Sequence, residues 1–257
     1  MTEVASGVRL VRAPNPGPMT LTGTNTYVIG DPGGPVIVVD PGPADPPHLV
    51  AIARLCPAGA DAIVLTHWHH DHSEAAAELA ARLGCPVRSV EETLRVGGRG
   101  LADGDVLDLG AVGMEVIATP GHTADSVCLL VRGPGRTVLL TGDTVLGTGT
   151  SVIMHPDGNL GSYLSSLDRL SAIVAAEEVG VILPGHGPVV TEPAGWLAFY
   201  RRHREERLDQ VRSALSAGDR TAAEVVARVY ADVDRSVWPA AERSVAAQLE
   251  FLAATGS

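Results

Sequence analysis

The sequence contains no lysine, and all 19 of its basic side chains are therefore arginines. This absence excludes Schiff-base catalysis by lysine and the lysine of a phosphate-binding P-loop. Aromatic residues are also scarce, at 4% of the 257 residues, so a core has to be built mainly from Val, Leu, Ile and Ala. The formal net charge of -11 disfavours long duplex DNA as a partner, because such binding needs many cationic contacts to phosphates.

Cysteines are few as well, and Cys56, Cys85 and Cys128 show no C-x-x-C spacing and lie outside every candidate site. We expect them to be free thiols in a reducing compartment. Residues 1–7 lack the basic head and apolar run of a secretory signal. No apolar run approaches the ~20 residues needed to span a membrane. These features predict a cytoplasmic protein without a membrane partner.

Short apolar runs separated by Gly, Pro and Asp dominate the first two thirds of the chain, and they predict many short strands. Ser73 is the expected N-cap of a helix over 74–83, and Gly84 is its expected C-terminal cap. Two sets of strands with helices between and outside them predict an α+β fold, in which two sheets lie between helical layers. The other predicted helices cover 46–55 and 162–176, and the predicted strands cover 8–12, 26–29, 36–39, 62–65, 106–109, 112–118, 126–131, 137–140, 151–154 and 179–183.

The pattern changes after Pro193, where three helices are predicted over 195–217, 222–230 and 240–253. Thr221 is the expected cap of the second of these helices. Three helices joined by short turns resemble a helix-turn-helix or winged-helix element, although the sequence stops before two wing strands could form. The predicted organisation is therefore a catalytic domain over 1–192 and a helical, winged-helix-like region over 193–257.

One short segment concentrates metal-ligating side chains. Residues 67–72 read His-Trp-His-His-Asp-His, an H-x-H-x-D-H pattern that directly follows the apolar stretch 61–66. Imidazole nitrogens and carboxylate oxygens are common ligands of zinc, and this spacing suits two metal ions. Three more such residues each follow an apolar run in a turn of small residues. The predicted ligands, all at the ends of strands, are His67, His69, Asp71, His72, His122, Asp143 and His186.

These motifs resemble the metallo-β-lactamase superfamily over roughly residues 18–190. The resemblance implies an αββα sandwich in which His67, His69 and His122 hold one metal ion. It further implies that Asp71, His72 and His186 hold the other, with Asp143 bridging both. Asp71 and Asp143 are then the expected catalytic residues. The implied cofactors are two divalent ions, zinc in the first place, with manganese or iron also compatible with a bridging carboxylate.

Residues 18–27, 142–150, 163–167, 184–189 and 200–207 resemble the lactamase-beta-like endoribonuclease branch of this superfamily. The branch implies a hydroxide bridged by two metal ions that hydrolyses a phosphodiester of single-stranded RNA or a related ester. The alternative is a thioester hydrolase similar to glyoxalase II, which acts on hydroxyacylglutathione. A true β-lactamase, a di-iron redox protein and a binding module without catalysis are less favoured interpretations.

Several residues around the motifs have expected supporting roles. Thr66, Thr123 and Ser126 are candidates to hydrogen-bond the outward nitrogens of ligand imidazoles. His70 lies off the ligand pattern and is a candidate contact to substrate. The arginines of 201–212 either contact RNA or form a solvated face paired with neighbouring acids. The C-terminal helices either bind substrate or pack as a dimer-forming appendage, and loops 14–25 and 147–160 are expected to line the cleft.

Overall fold

β-Branched residues near the N-terminus form the first of two sheets in the computed structural model, which describes residues 2–31 and 33–256. The six strands follow each other in sequence order across this sheet, and β4 and β5 begin its parallel half. The strands are β1 (Thr2–Ala5), β2 (Val8–Arg12), β3 (Asn25–Gly30), β4 (Val36–Val39), β5 (Ala62–Val64) and β6 (Val87–Arg88).

The second sheet has five strands in the order β11-β10-β9-β8-β7. Its strands are antiparallel except for β10 and β11, which run parallel because helix α4 (Leu160–Ala176) connects them. These strands are β7 (Val106–Asp108), β8 (Gly113–Ala118), β9 (Val127–Arg132), β10 (Val138–Gly142) and β11 (Val181–Pro184).

Three apolar clusters hold the layers together, and neighbouring residues of one strand serve different clusters. Val64 of β5 packs between the two sheets with Leu129 of β9, whereas Ile63 points outward against helices α1 (Pro46–Ala53) and α3 (Ala76–Leu83). The outer face of the second sheet packs against α4 and the C-terminal helices, as Leu139 does. The predicted αββα sandwich is thereby confirmed.

The C-terminal region consists of helices α5 (Pro193–Ser216), α6 (Ala222–Val229) and α7 (Trp238–Thr255). Thr221 caps α6 as predicted, because its hydroxyl accepts from the Glu224 amide while the Glu224 carboxylate accepts from the Thr221 amide. Short 3-10 turns lie at Glu92–Leu94 and Arg235–Val237. Within 217–256 the described backbone forms no strand, and none of the described helices is long and apolar enough to cross a bilayer.

Two predictions about local structure are wrong. Ser73 does not cap the helix over 74–83: His70–Ser73 forms its own helical turn (α2), α3 begins at Ala76, and the Ser73 hydroxyl donates to the Trp68 carbonyl at 2.9 Å. The predicted strand 151–154 is an irregular loop, since its backbone groups bind a side chain of α7 and the turn of His122 instead of a neighbouring strand. Gly84 does end α3, in the predicted left-handed conformation.

The C-terminal region is joined to the sandwich through a buried tyrosine. The Leu146 amide, in the loop after β10, donates to the Tyr200 hydroxyl at 2.7 Å, and Tyr200 is fully buried. Tyr200→Phe would leave this amide unsatisfied, and we expect it to lower the free energy of unfolding by about 1–3 kcal/mol. Chemical denaturation of the full chain measures this difference.

The matched control for this experiment is Tyr230→Phe. The Tyr230 hydroxyl makes no hydrogen bond within the described residues, and its ring is only partly buried. An unfolding free energy that drops equally in both variants would contradict the assigned role of the Tyr200 hydroxyl.

Candidate metal centre

The seven predicted ligands lie together at the carboxyl ends of four strands. His67, His69, Asp71 and His72 come from the turn and short helix α2 that follow β5. His122 follows β8, Asp143 directly follows β10, and His186 follows β11 after one intervening residue. Strand ends are rigid positions, and this arrangement directs side chains from both sheets to one edge of the sandwich.

The first group of ligands consists of three imidazoles. The Nδ1 atom of His69 lies 2.9 Å from Nε2 of His67 and 3.1 Å from Nε2 of His122. Burial, together with neighbouring imidazoles, holds the pKa of His67 well below its usual range and lowers the pKa of His69 to about 4. Neutral imidazoles present lone pairs, which is the state that a metal ion requires.

The second group is formed by Asp71, His72 and His186. Nε2 of His186 lies 3.0 Å from Oδ2 of Asp71 and 3.1 Å from Nε2 of His72. The three ligand atoms lie within 4.8 Å of one another, as do those of the first group. Two compact groups of nitrogen and oxygen donors therefore lie side by side, and their assignment as ligands of two metal ions stays a prediction.

Asp143 lies between the two groups. Its Oδ1 is 3.4 Å from Nε2 of His72 and 3.5 Å from Nε2 of His186, whereas its Oδ2 is 3.8 Å from Nε2 of His122. Oδ1 is buried and makes no hydrogen bond of good geometry, so the carboxylate is held chiefly by charge. A buried oxygen in need of a cation fits the predicted metal ions.

Carboxylates control the protonation of the second group. Burial acts against protonation of His72, but the charges of Asp143 and Asp40 outweigh it and raise the pKa of His72 well above its usual value. Asp143 similarly raises the pKa of His186 to about 9, again against burial. Burial would raise the pKa of Asp143, yet His186 and His72 hold it well below its usual range. In the metal-free chain these protons supply the positive charge that cations would otherwise bring.

Asp40 supports the centre and was not predicted from the sequence. Its Oδ2 accepts from Nδ1 of His72 at 2.8 Å, and its Oδ1 accepts from the Thr66 amide at 2.8 Å. Because Nδ1 of His72 carries the proton, Nε2 is left to face the centre. The sequence feature that could have identified Asp40 is its position directly after β4, in an Asp-Pro-Gly turn. The downstream ligands lie in similar turns.

Three residues were predicted to hydrogen-bond the ligand imidazoles, and only one of them does so. Thr66 is placed as predicted, since its hydroxyl lies 3.1 Å from Nδ1 of His67 and donates to Asp40. Thr123 and Ser126 bond to each other at 2.7 Å and contact no described ligand ring, so their predicted role is wrong. The outward nitrogen of His122 instead donates to the Val152 carbonyl at 2.5 Å.

Two cavities are lined by residues that neighbour the predicted ligands, although no predicted ligand lines either of them. One, of about 570 Å³, is bordered by Trp68 and His70 of the histidine motif, and His70 lies there rather than among the ligands. It also has an acidic wall, in which burial raises the pKa of Asp125 to about 6, and Asp157 accepts from the Trp68 indole at 3.0 Å. The second cavity, of about 260 Å³, includes residues from both loops expected to line the cleft, 14–25 and 147–160.

Comparisons with known proteins identify the class. The family profile described as the metallo-beta-lactamase superfamily matches residues 19–186, and that of the beta-lactamase associated winged helix domain matches residues 221–257. The chain therefore belongs to the metallo-beta-lactamase superfamily, and the winged-helix character of its C-terminal region is confirmed. Neither profile covers 187–220, so the domain boundary at 192/193 stays a prediction.

Individual relatives extend over nearly the whole chain. A beta-lactamase-like protein 2 homolog of Drosophila melanogaster is 32% identical over 277 aligned positions, which cover 100% of this chain and 91% of the relative. A beta-lactamase domain protein from Burkholderia ambifaria has the same fold, with a TM-score of 0.82, 24% identity and coverage of 99% and 88%. A metallo-beta-lactamase family protein from Thermus thermophilus gives a TM-score of 0.74 at 25% identity, covering 98% and 94%.

The support that Asp40 gives to His72 can be tested by metal affinity. Asp40→Ala removes the acceptor of the His72 proton, and we expect a loss of roughly 10- to 100-fold in zinc affinity measured by competition with a chelator. Asp61→Ala, an exposed carboxylate just before β5, removes the same charge and is expected to leave affinity unchanged. Equal affinities in the two variants would show that Asp40 does not act through His72.

The space around Asp143 depends on Gly185. A Cβ at this position would lie 2.7 Å from both Oδ1 of Asp143 and Cε1 of His72, where it would displace one of them. We expect Gly185→Ala to abolish stoichiometric metal binding, measured by elemental analysis after gel filtration. Gly195 lies inside helix α5, where an added Cβ meets no atom within 4 Å and alanine has the higher helix propensity, so Gly195→Ala is expected to bind metal like the parent chain.

Proposed function

We propose that the protein is a metal-dependent hydrolase whose seven clustered His and Asp side chains hold two divalent cations. The observation that carries this proposal is the pair of three-residue ligand groups with the Asp143 carboxylate between them. Mixed imidazole and carboxylate donors suit zinc first, and manganese or iron as well. The assignment of individual ligands is part of this proposal.

When bound, two such cations lower the pKa of a water molecule and polarise the bond that is cleaved. The chain supplies the positioning. Asp71 is the most accessible of the central carboxylates, with 30% of its side chain exposed against 11% for Asp143. Its hydrogen bond with His186 fixes one oxygen of the carboxylate. We assign Asp71 to orient the attacking water and to accept its proton, and Asp143 to hold the two halves of the site together.

The proposed substrate is a phosphodiester of single-stranded RNA or a related ester. Support comes from the resemblance of residues 18–27, 142–150, 163–167, 184–189 and 200–207 to the endoribonuclease branch. A single strand has a lower charge density than a duplex, and so the net charge of -11 does not oppose its binding as strongly as it opposes that of a duplex.

A thioester hydrolase similar to glyoxalase II is the second candidate, and a specific observation favours it. Arg201 pairs with Glu205 at 3.0 Å and Arg212 pairs with Asp209 at 2.9 Å, so these arginines of α5 belong to a solvated, internally paired face. The acidic wall of the larger cavity would also repel an RNA backbone. Both features suit a small substrate.

The catalytic assignment is tested with metal-analysed protein, assayed in parallel on single-stranded RNA and on S-lactoylglutathione. We expect Asp71→Ala and Asp143→Ala each to lower kcat by about two orders of magnitude or more on the true substrate. Asp61→Ala again serves as the control that should retain full turnover. A fully active Asp71→Ala enzyme would overturn the role given to this residue.

Removal of metal provides an independent test. Chelation should abolish turnover and zinc should restore it, with about two metal ions per chain at full activity because each ligand group holds one. RNA cleavage that survives exhaustive chelation would contradict the proposed hydrolase, and restoration by one ion per chain would contradict its dinuclear form.

A further inference from the structure

The smaller cavity has a chemical character that the proposed reaction does not explain. It lies between loop 150–152, helix α5 and the segment from Tyr230 to Ser244, and its volume is about 260 Å³. Three basic side chains of α5, namely His203, Arg204 and Arg207, line it. Met19, which is 47% exposed, lies at its border.

Neither guanidinium in this cavity is neutralised. Arg204 is only 3% exposed, yet within the described residues it forms no ion pair: it donates to the Ser151 carbonyl and lies 4.8 Å from the centre of the Tyr163 ring. Its Nε atom is buried without a hydrogen-bond partner. A buried cation without a counter-charge is costly, and a chain with 30 acidic residues could readily have supplied one.

Arg207 repeats the pattern at the more open side of the cavity. It donates to the Gln210 side chain at 2.8 Å and lies 4.6 Å from the centre of the Tyr230 ring, with no acidic partner in the described part of the chain. Arg201 and Arg212, on the same helix but outside the cavity, both pair with carboxylates. Arg204 and Arg207 therefore differ from Arg201 and Arg212 in that no carboxylate of the described residues neutralises them.

His203 is consistent with this local positive potential. Burial first, and then the charges of Arg204 and Arg207, lower the pKa of His203 to about 4. The imidazole is thus neutral near pH 7 and retains one N–H that can donate, while its Nδ1 atom has no partner. Two guanidiniums and an imidazole N–H form a set of donors without an anionic acceptor among the described residues, which suits a planar or tetrahedral oxyanion.

The cavity is also connected to the ligand groups. Ser151 accepts from Arg204 through its carbonyl, while its hydroxyl lies 3.2 Å from Nδ1 of His122. A group bound beside Arg204 is therefore separated from a predicted metal ligand by one residue.

We propose that the cavity lined by Arg204 and Arg207 binds a phosphate group carried by the substrate, away from the bond that is hydrolysed. The role in substrate binding rests on the proposed hydrolase, whereas the phosphate site itself does not. The site selects phosphate-bearing molecules and aligns them so that the reactive bond reaches the ligand groups.

The test uses inorganic phosphate as the probe and the 257-residue chain after removal of metal, so that phosphate has no cation to bind. We expect saturable binding by titration calorimetry and a loss of affinity of about tenfold or more in Arg207→Gln, because a charge-assisted contact is removed. Arg202→Gln is the matched control, since Arg202 is an exposed arginine of the same helix. Arg207→Lys keeps the charge and should retain most of the affinity.

The outcomes separate this inference from the proposed function. Absence of saturable binding, or equal affinity in Arg207→Gln and Arg202→Gln, would overturn the phosphate site whatever the enzyme hydrolyses. Binding that is lost only in Arg207→Gln supports the site even if both hydrolytic assays fail. In the metal-loaded enzyme, Arg207→Gln should raise KM for a phosphate-bearing substrate without a matching change in kcat, and an unchanged KM would contradict its role in substrate binding.

Discussion

The charge of the buried Asp143 carboxylate is the constraint on which the rest of the centre depends. A carboxylate that is almost entirely removed from water needs positive charge nearby, and the chain meets this need only by bringing the ends of four strands together. The Asp143 charge accordingly raises the pKa of His186 to about 9 and, together with Asp40, raises the pKa of His72 well above its usual value. Metal ions at the same place would supply more of the positive charge that Asp143 needs. Their binding would release protons from the His72 and His186 imidazoles.

Hydrogen bonds behind the predicted ligands determine which nitrogen of each imidazole faces the metal centre. Asp40 takes the Nδ1 proton of His72, the Thr66 hydroxyl faces Nδ1 of His67, and the Val152 carbonyl takes that of His122. Asp40 and Thr66 lie just after strands, and Val152 lies in the irregular loop 151–154, so the fold favours particular tautomers as well as positions. These contacts explain why residues 70–73 form the short helix α2 and why residues 151–154 form an irregular loop in place of the predicted strand.

Much of the sandwich could be predicted from the sequence because its strands are apolar runs bounded by turn residues, as at Val36–Val39. β1 and β6 were missed, since β1 is mostly exposed and β6 has two residues, so neither carries a strong pattern. The loop at 151–154 has strand-like composition, yet its backbone partners come from α7 and from the turn of His122, which are distant in sequence. Such tertiary partners leave no local signal.

The spacing of His and Asp residues in the sequence identified the predicted ligands. The same spacing could not identify the residues that hydrogen-bond those ligands. Thr123 and Ser126 are close to His122 in sequence, but their hydroxyls turn toward each other, and the support of His122 comes from residues 151 and 152. Asp40 follows the same pattern of strand and turn as the ligands, and a single sequence contains several other Asp residues in similar turns. Only the packed structure distinguishes them.

The two cavities beside the centre carry opposite charge, and this opposition constrains the substrate more than the net charge does. One adjoins Trp68 and Ala124 and has an acidic wall, while the other adjoins Ser151 and contains unpaired arginines. With the proposed phosphate site, a molecule that occupied both would have an anionic end and an end that is neutral or donates hydrogen bonds. A long uniform polyanion would gain from the arginines and be repelled by the acidic wall, so a short substrate with a single phosphate-bearing end makes better use of both surfaces.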